Sequence, residues 1–191
     1  MQPIPLQQVP ITEQVQQLFT GIKNRYGFVP NTMHLMGHSP AVLSSYLSNI
    51  DQLAAGNIGY QLAELIALRT ATINKSLYCD ISHRFIAAKL VGIPVAVISE
   101  ARQGKSKDTR IQSLLNFVTR VVENRGQISR EEIGLLKESG FTDTEMVEVI
   151  AHITFNIFTN YFNLIAKPAL DFPVISMPGE ENELSESQKL N

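Results

Sequence analysis

Apolar residues recur along this chain at three- and four-residue intervals, the period of a helix with one buried face. Ile11, Val15 and Leu18 follow it until Gly27 stops the segment. Asn31 is placed to cap a short helix that ends near Gly37. Ser39-Pro40 reads as an N-cap followed by proline at the first helical position, where a missing amide proton costs nothing. Leu43, Tyr46, Leu47, Ile50 and Leu53 carry the period to Gly56. A fourth helix is predicted over 60–73, with Leu62, Leu65, Ile66 and Leu68 apolar. A fifth follows over 76–90, with Gly92 as its C′ residue. Only Asn74-Lys75 separates them, which predicts a hairpin. Pro94 opens a short helix through Ala101, and residues 109–124 repeat the pattern up to Gly126. Ser129-x-x-Glu132 and Thr142-x-x-Glu145 have the form of capping boxes, in which side chain and backbone satisfy each other's first-turn amides. The last helix is predicted over 143–166, ending before Pro168.

Strand alternation and a fixed repeat are both missing from this pattern. It predicts an all-α fold with an antiparallel helix-bundle core over residues 1–167. Residues 168–191 form a C-terminal extension broken by prolines and then acidic. That stretch is expected to be partly disordered, or to dock through Phe172, Val174 and Ile175 on a neighbouring subunit.

Composition narrows the function classes. A chain of 191 residues can bury one sizeable core. Hydrophobic residues make up 44% and charged residues 18%, slightly poor in charge, which suggests a large buried fraction or a buried subunit interface. The net charge of -2 and the lack of a basic block argue against nucleic acid; the cationic stretch 102–110 reads as a solvated loop. The opening Met1-Gln-Pro-Ile-Pro has neither a positive nor an apolar signal region. The longest apolar run, 91–98, is interrupted by Gly92 and Pro94 and is too short for a bilayer. The expectation is a protein without membrane or nucleic-acid partners. Its single cysteine, Cys79, cannot form an internal disulfide and fits a reducing cytoplasm.

Candidate chemistry lies between Glu64 and His83. With Ser76 at a helix N-terminus, Cys79 is three residues on and His83 seven, so all three share one face. First-turn amides and a protonated His83 would both favour a thiolate at Cys79. Glu64, on the preceding helix, can face this start across the hairpin and hold a proton with His83. Each residue also has a plain structural reading. A lone cysteine on an apolar face is most often core, Glu64 has Arg69 and Lys75 as possible ion-pair partners, and Ser76 is a fitting N-cap. His34 and His38 have a metal-ligand spacing, but no nearby carboxylate or cysteine completes a site. His152 reads as buried structure.

The segment from Glu64 to His83 resembles the signature Glu-x11-Cys-x2-Cys-x3-His of the carboxymuconolactone decarboxylase and AhpD-like alkylhydroperoxidase family, with matching spacing at all four positions. Ala67-Leu-Arg, Asn74, Tyr78-Cys79, Ala87-Ala88, Tyr26-Gly-Phe-Val-Pro-Asn31 and Ser39-Pro40 are similar to its peroxidase-related branch. Asn156 and Asn160 on the last helix are similar as well. The likeness spans about residues 20 to 165. It implies a multihelical, AhpD-like fold, homo-oligomers (dimers, trimers or hexamers), no metal and no cofactor. In its alkylhydroperoxidases two cysteines reduce a hydroperoxide and close a disulfide, a glutamate and a histidine relay protons, and a dihydrolipoyl protein or another dithiol resets the pair. This chain departs from the signature where Ser76 replaces the first cysteine, which excludes the two-cysteine cycle. The resemblance then implies a one-cysteine peroxidase with Cys79, His83, Glu64 and Ser76 at its site, acting on a small hydroperoxide or other small molecule with an external thiol as reductant. Two alternatives stand beside it. One is a lyase or decarboxylase acting on a small carboxylated or lactone substrate, with His83 as base. The other is a non-catalytic member of the fold.

Overall fold

The computed structural model describes residues 12–178. Ile11, the Met1–Pro5 opening and the acidic tail beyond residue 178, about which expectations were stated above, lie outside the described residues. Among the described residues nine α-helices follow one another: α1 Glu13–Tyr26, α2 Asn31–Met36, α3 Pro40–Ala54, α4 Gly59–Ile73, α5 Leu77–Phe85, α6 Val95–Arg102, α7 Thr109–Glu123, α8 Arg130–Glu138 and α9 Asp143–Ala166. No strand occurs among the described residues, and the all-α expectation holds.

The predicted caps account for most boundaries. Ser39, Ser129 and Thr142 cap α3, α8 and α9 through their side chains, and the last two form complete capping boxes. Asn31 departs from expectation. It is the first helical residue rather than the cap, and its side-chain amide donates to the Ala169 carbonyl at 3.0 Å. The fifth helix also differs. It is α-helical only to Phe85 and continues as a π-helical segment, Ile86–Val91, before Gly92 stops it at φ 80°. A π segment adds a residue per turn and widens the helix locally, often beside a functional site. Here Ile86, Leu90 and Val91 line a cavity.

Helix α4 is the centre of the bundle. Leu65, Ile66, Ala67, Leu68 and Ala71 are buried, and α5, α6, α7 and α9 all pack against it. One apolar cluster joins Ile66 to Leu114, Val118, Val149 and Ile153. A second joins Leu65 and Leu68 to Ile98, Leu115 and Met177. A third holds α1 to α3 through Val15, Phe19, Met33, Met36 and Leu43. Burying each large aliphatic side chain contributes roughly 1.5–3 kcal/mol. The α4–α5 connection is as tight as predicted. Lys75 takes a left-handed φ of 56°, and the Ser76 amide closes onto the Ala71 carbonyl at 3.0 Å.

After α9 the chain folds back on itself. Phe172, which the sequence offers to a neighbouring subunit, packs against Phe28, Tyr78 and Phe85 of its own chain. One described helix, α9, is long and apolar enough to cross a membrane by length and composition. Its buried face, including Val149, His152, Ile153, Asn156 and Asn160, packs into the bundle.

Candidate active site

The α4–α5 hairpin brings together all four residues singled out by spacing, with different outcomes for each. Glu64 and His83 meet directly: His83 Nδ1 lies 2.9 Å from Glu64 Oε2. The alternative ion-pair partner Arg69 is engaged elsewhere, donating to Thr119 Oγ1 and the Arg102 carbonyl. Both members of the Glu64–His83 pair are largely buried, which by itself disfavours an imidazolium. The Glu64 carboxylate outweighs that burial and raises the His83 pKa above its ordinary value.

Cys79 is only 1% exposed, yet it lines the cavity. The expected low thiol pKa is not what the structure supports. Burial is the largest influence and pushes the thiol up, Asp80 adds to it, and donors from Ser76, Asn163 and Asn160 pull it down without prevailing. The reason is geometric. The bonded partner of the sulfur is the Asn163 amide, 3.1 Å away, whereas that of the imidazole is Glu64.

The donors around the sulfur are aimed by their own partners. Asn163 accepts a hydrogen bond from the Thr32 hydroxyl on its oxygen side, which turns its NH2 toward Cys79. Asn160 likewise accepts from Asn74 at 3.0 Å, leaving its NH2 buried and unpartnered among the described residues. Ser76 occupies the N-cap position of α5 without capping it. Its hydroxyl is buried and has no hydrogen bond among the described residues. Ser76 and Asn160 reach toward the sulfur closely enough to favour its charge, but neither closes a hydrogen bond at rest. Three donors converge on one sulfur, and two of them are free to bond a new negative atom there.

The cavity has a volume of about 470 Å³, within the range of small-molecule sites. Its walls are mainly apolar and aromatic: Tyr26, Met33, Ile50, Leu53, Phe155 and Phe172. Tyr46 stacks on Phe155 with ring centroids 5.1 Å apart. Tyr60 and Leu90, both well exposed, stand at its mouth. Tyr78, next to the cysteine, donates to Asp171 at 2.7 Å and accepts from the Thr32 amide. Asp171 also accepts from the Asn31 amide. The C-terminal segment thereby clasps the residues that hold Asn163.

Sequence reasoning missed Thr32, Asn163 and Asp171, and it assigned His152 to structure alone. His152 is indeed buried, but it lines the cavity. The signal lay in α9 itself: His152, Asn156, Asn160 and Asn163 recur every three or four residues on an otherwise apolar helix. His34 packs edge-on against Phe19, and no metal-holding group of three or more His, Cys, Asp or Glu occurs among the described residues.

No protein-family model matches the sequence, and no curated protein matches it. Solved structures do match. A peroxidase-related protein from Silicibacter sp. TM1040 superposes with a TM-score of 0.78 at 20% identity, covering 87% of this chain and 89% of that one. A peroxidase-related protein from Ralstonia eutropha JMP134, described as an alkylhydroperoxidase AhpD core, gives 0.78 and 20%, covering 88% and 92%. The chain has the AhpD-like fold. A debrominase, Bmp8, shares this AhpD-like architecture with a TM-score of 0.72 at 19% identity, covering 88% and 90%, and a variant of it is solved in complex with 2,3,4-tribromopyrrole.

Proposed function

We propose that this chain is a thiol-dependent oxidoreductase that reduces small, largely apolar hydroperoxides through Cys79 alone. One observation carries the reading. A single thiol sits in the wall of a ligand-sized cavity, with amide and hydroxyl donors turned on it and, on the same helix face, His83 paired with Glu64 of α4.

The cycle starts from the Cys79 thiol, whose burial disfavours the thiolate, and from His83, whose protonated form Glu64 favours. The sulfur attacks the outer peroxide oxygen, an S–O bond forms and the O–O bond breaks. His83 gives its proton to the departing alkoxide, which leaves as an alcohol, and takes up the proton lost by the thiol. Sulfur is oxidised by two electrons to a sulfenic acid, whose oxygen meets the unpartnered Ser76 and Asn160 donors. With no second cysteine in the chain, one external thiol condenses with the sulfenic acid and releases water, and a second releases the resulting disulfide. Glu64 is the positioning partner that keeps His83 charged. A reducing compartment such as the cytoplasm fits this cycle. The likeness to the debrominase supports a second reading, in which Cys79 gives up its proton and takes a bromine from an electron-rich ring as a sulfenyl bromide, His83 protonates the ring carbon left behind, and an external thiol then displaces bromide and closes a disulfide with Cys79.

Mass spectrometry after mild treatment with cumene hydroperoxide in the presence of dimedone tests the first reading. The expected result is a single dimedone adduct at Cys79, with cumyl alcohol released in equal amount. Failure with several hydroperoxides removes it, and bromide release from a bromopyrrole would then establish the second. Activity that survives Cys79→Ser but is lost in His83→Ala would instead establish the lyase alternative.

The homo-oligomer implied by the resemblance is proposed as well. Val147, Ile150, Phe158, Tyr161, Leu164 and Ile165 leave an apolar outer face on α9, and a second copy of the chain would cover it. Sedimentation showing only monomer at micromolar concentration would remove this.

A further inference from the structure

The steps above leave the His152 imidazole of the cavity unused. His152 is 8% exposed and lines the cavity from α9. Its ring is held toward the Leu53 carbonyl, and its Nε2 is buried with no partner among the described residues. With Nε2 left without a partner, the ring hydrogen that the Leu53 carbonyl accepts is assigned to Nδ1. Burial is the largest influence on this imidazole and lowers its pKa, although Glu148 and Glu64 oppose that. Glu148, one turn before it, is already occupied by Asn57 and the Ile58 amide at the start of α4. The ring is therefore neutral, with a lone pair on Nε2. His152 belongs to the cavity wall and its Nε2 lacks a donor, and leaving such a buried group unpaired costs free energy that a matching ligand recovers. The walls beside it, Tyr46 stacked on Phe155 with Leu53 and Ile50, suit a flat apolar body.

We propose that His152 Nε2 is a specificity-determining acceptor, which selects ring compounds bearing an O–H or N–H donor, such as phenols and N–H azoles, from among the small apolar molecules that fit the cavity. This names the class of ligand the cavity selects and rests on the reading above only in taking this cavity as the place where ligands bind.

The test is calorimetric, on the reduced full-length protein, with para-tert-butylphenol and its methyl ether. The two have nearly the same shape, and only the phenol can donate. The phenol is expected to bind about tenfold more tightly than the ether, the worth of one hydrogen bond to a buried group. His152→Leu keeps the bulk and removes the acceptor, and should bring the two affinities within about twofold by weakening the phenol alone. His152→Gln keeps an acceptor and should retain part of the preference. Equal binding of phenol and ether to the wild-type protein overturns the assignment, as does binding of neither at millimolar concentration or a preference that survives His152→Leu. The wild-type comparison needs no variant, so the assignment can fail even if the leucine variant does not fold. Dimedone trapping on the same preparations separates the two ideas. A phenol preference without sulfenic acid formation sinks only the redox reading, and sulfenic acid formation without the preference sinks only the role of His152.

Discussion

Two pairs of residues sit side by side on α5 with the same four-residue spacing, Cys79 with His83 and Asp80 with Arg84. They do opposite things. Asp80 and Arg84 are both almost fully buried and ion-paired to each other, and Arg102 from α6 adds two hydrogen bonds to the same carboxylate, at 2.7 and 3.0 Å. Cys79 and His83 turn to the cavity, and each finds its partner on another helix, Asn163 on α9 and Glu64 on α4. A pair closed on itself fixes the hairpin against α6. A pair left open faces the cavity. Spacing alone does not separate the two cases; what does is whether the neighbouring helix brings a counter-charge or a hollow.

The largest effect expected from breaking this contrast is at the sulfur. Cys79→Ser should bring hydroperoxide consumption down to the rate without protein, measured by peroxide assay, while the melting temperature stays within a few degrees because the substitution is nearly isosteric. The closed pair should answer in the opposite way. Asp80→Asn leaves two arginines beside an uncharged amide and should cost about 3–5 kcal/mol in urea unfolding, the usual penalty for breaking a buried ion pair. A loss under about 1 kcal/mol would show that Asp80 is not structural in the way its burial indicates.

Glu64→Gln comes next. Glu64 holds the His83 pKa above its ordinary value of 6.5, so the stability this contributes is fully present below pH 6.5 and is lost as pH rises through the folded pKa. The amide should let the His83 pKa fall, shift the alkaline limb of kcat/KM to lower pH, and slow turnover at neutral pH by about 10–100-fold. NMR titration of the His83 ring and a pH–rate profile check both. Unchanged titration would break the link between the two residues. Asn163→Ala should have the smallest effect. It removes the donor bonded to the sulfur, raises the thiol pKa further and slows iodoacetamide alkylation at a fixed pH about tenfold.

Much of the helical order was legible in the sequence, because glycine, proline and capping side chains act locally. Ser39-Pro40, Ser129-x-x-Glu132 and Thr142-x-x-Glu145 mark boundaries whichever way the rest of the chain folds. The change to a π segment after Phe85 left no trace in the apolar period. The Glu64–His83 contact was legible because a short hairpin leaves little freedom in how α4 meets α5. The surroundings of the sulfur were not. Thr32 and Asn163 meet across 131 positions, Tyr78 and Asp171 across 93, and Asn31 and Asp171 across 140. The thiol pKa was misjudged for the same reason: α9 buries the sulfur, and that burial outweighs what the first turn of α5 offers to a charge.

The Asp171 clasp sets when the site can become complete during synthesis. All nine described helices have been translated before residue 171 emerges from the ribosome, so a nascent chain can assemble its bundle while Tyr78, Thr32 and Asn163 still lack their tether. A product ending before Asp171 would keep the helical signal of the full protein and carry a slack, more readily alkylated thiol. A fusion partner joined beyond Pro178 would leave that tether in place.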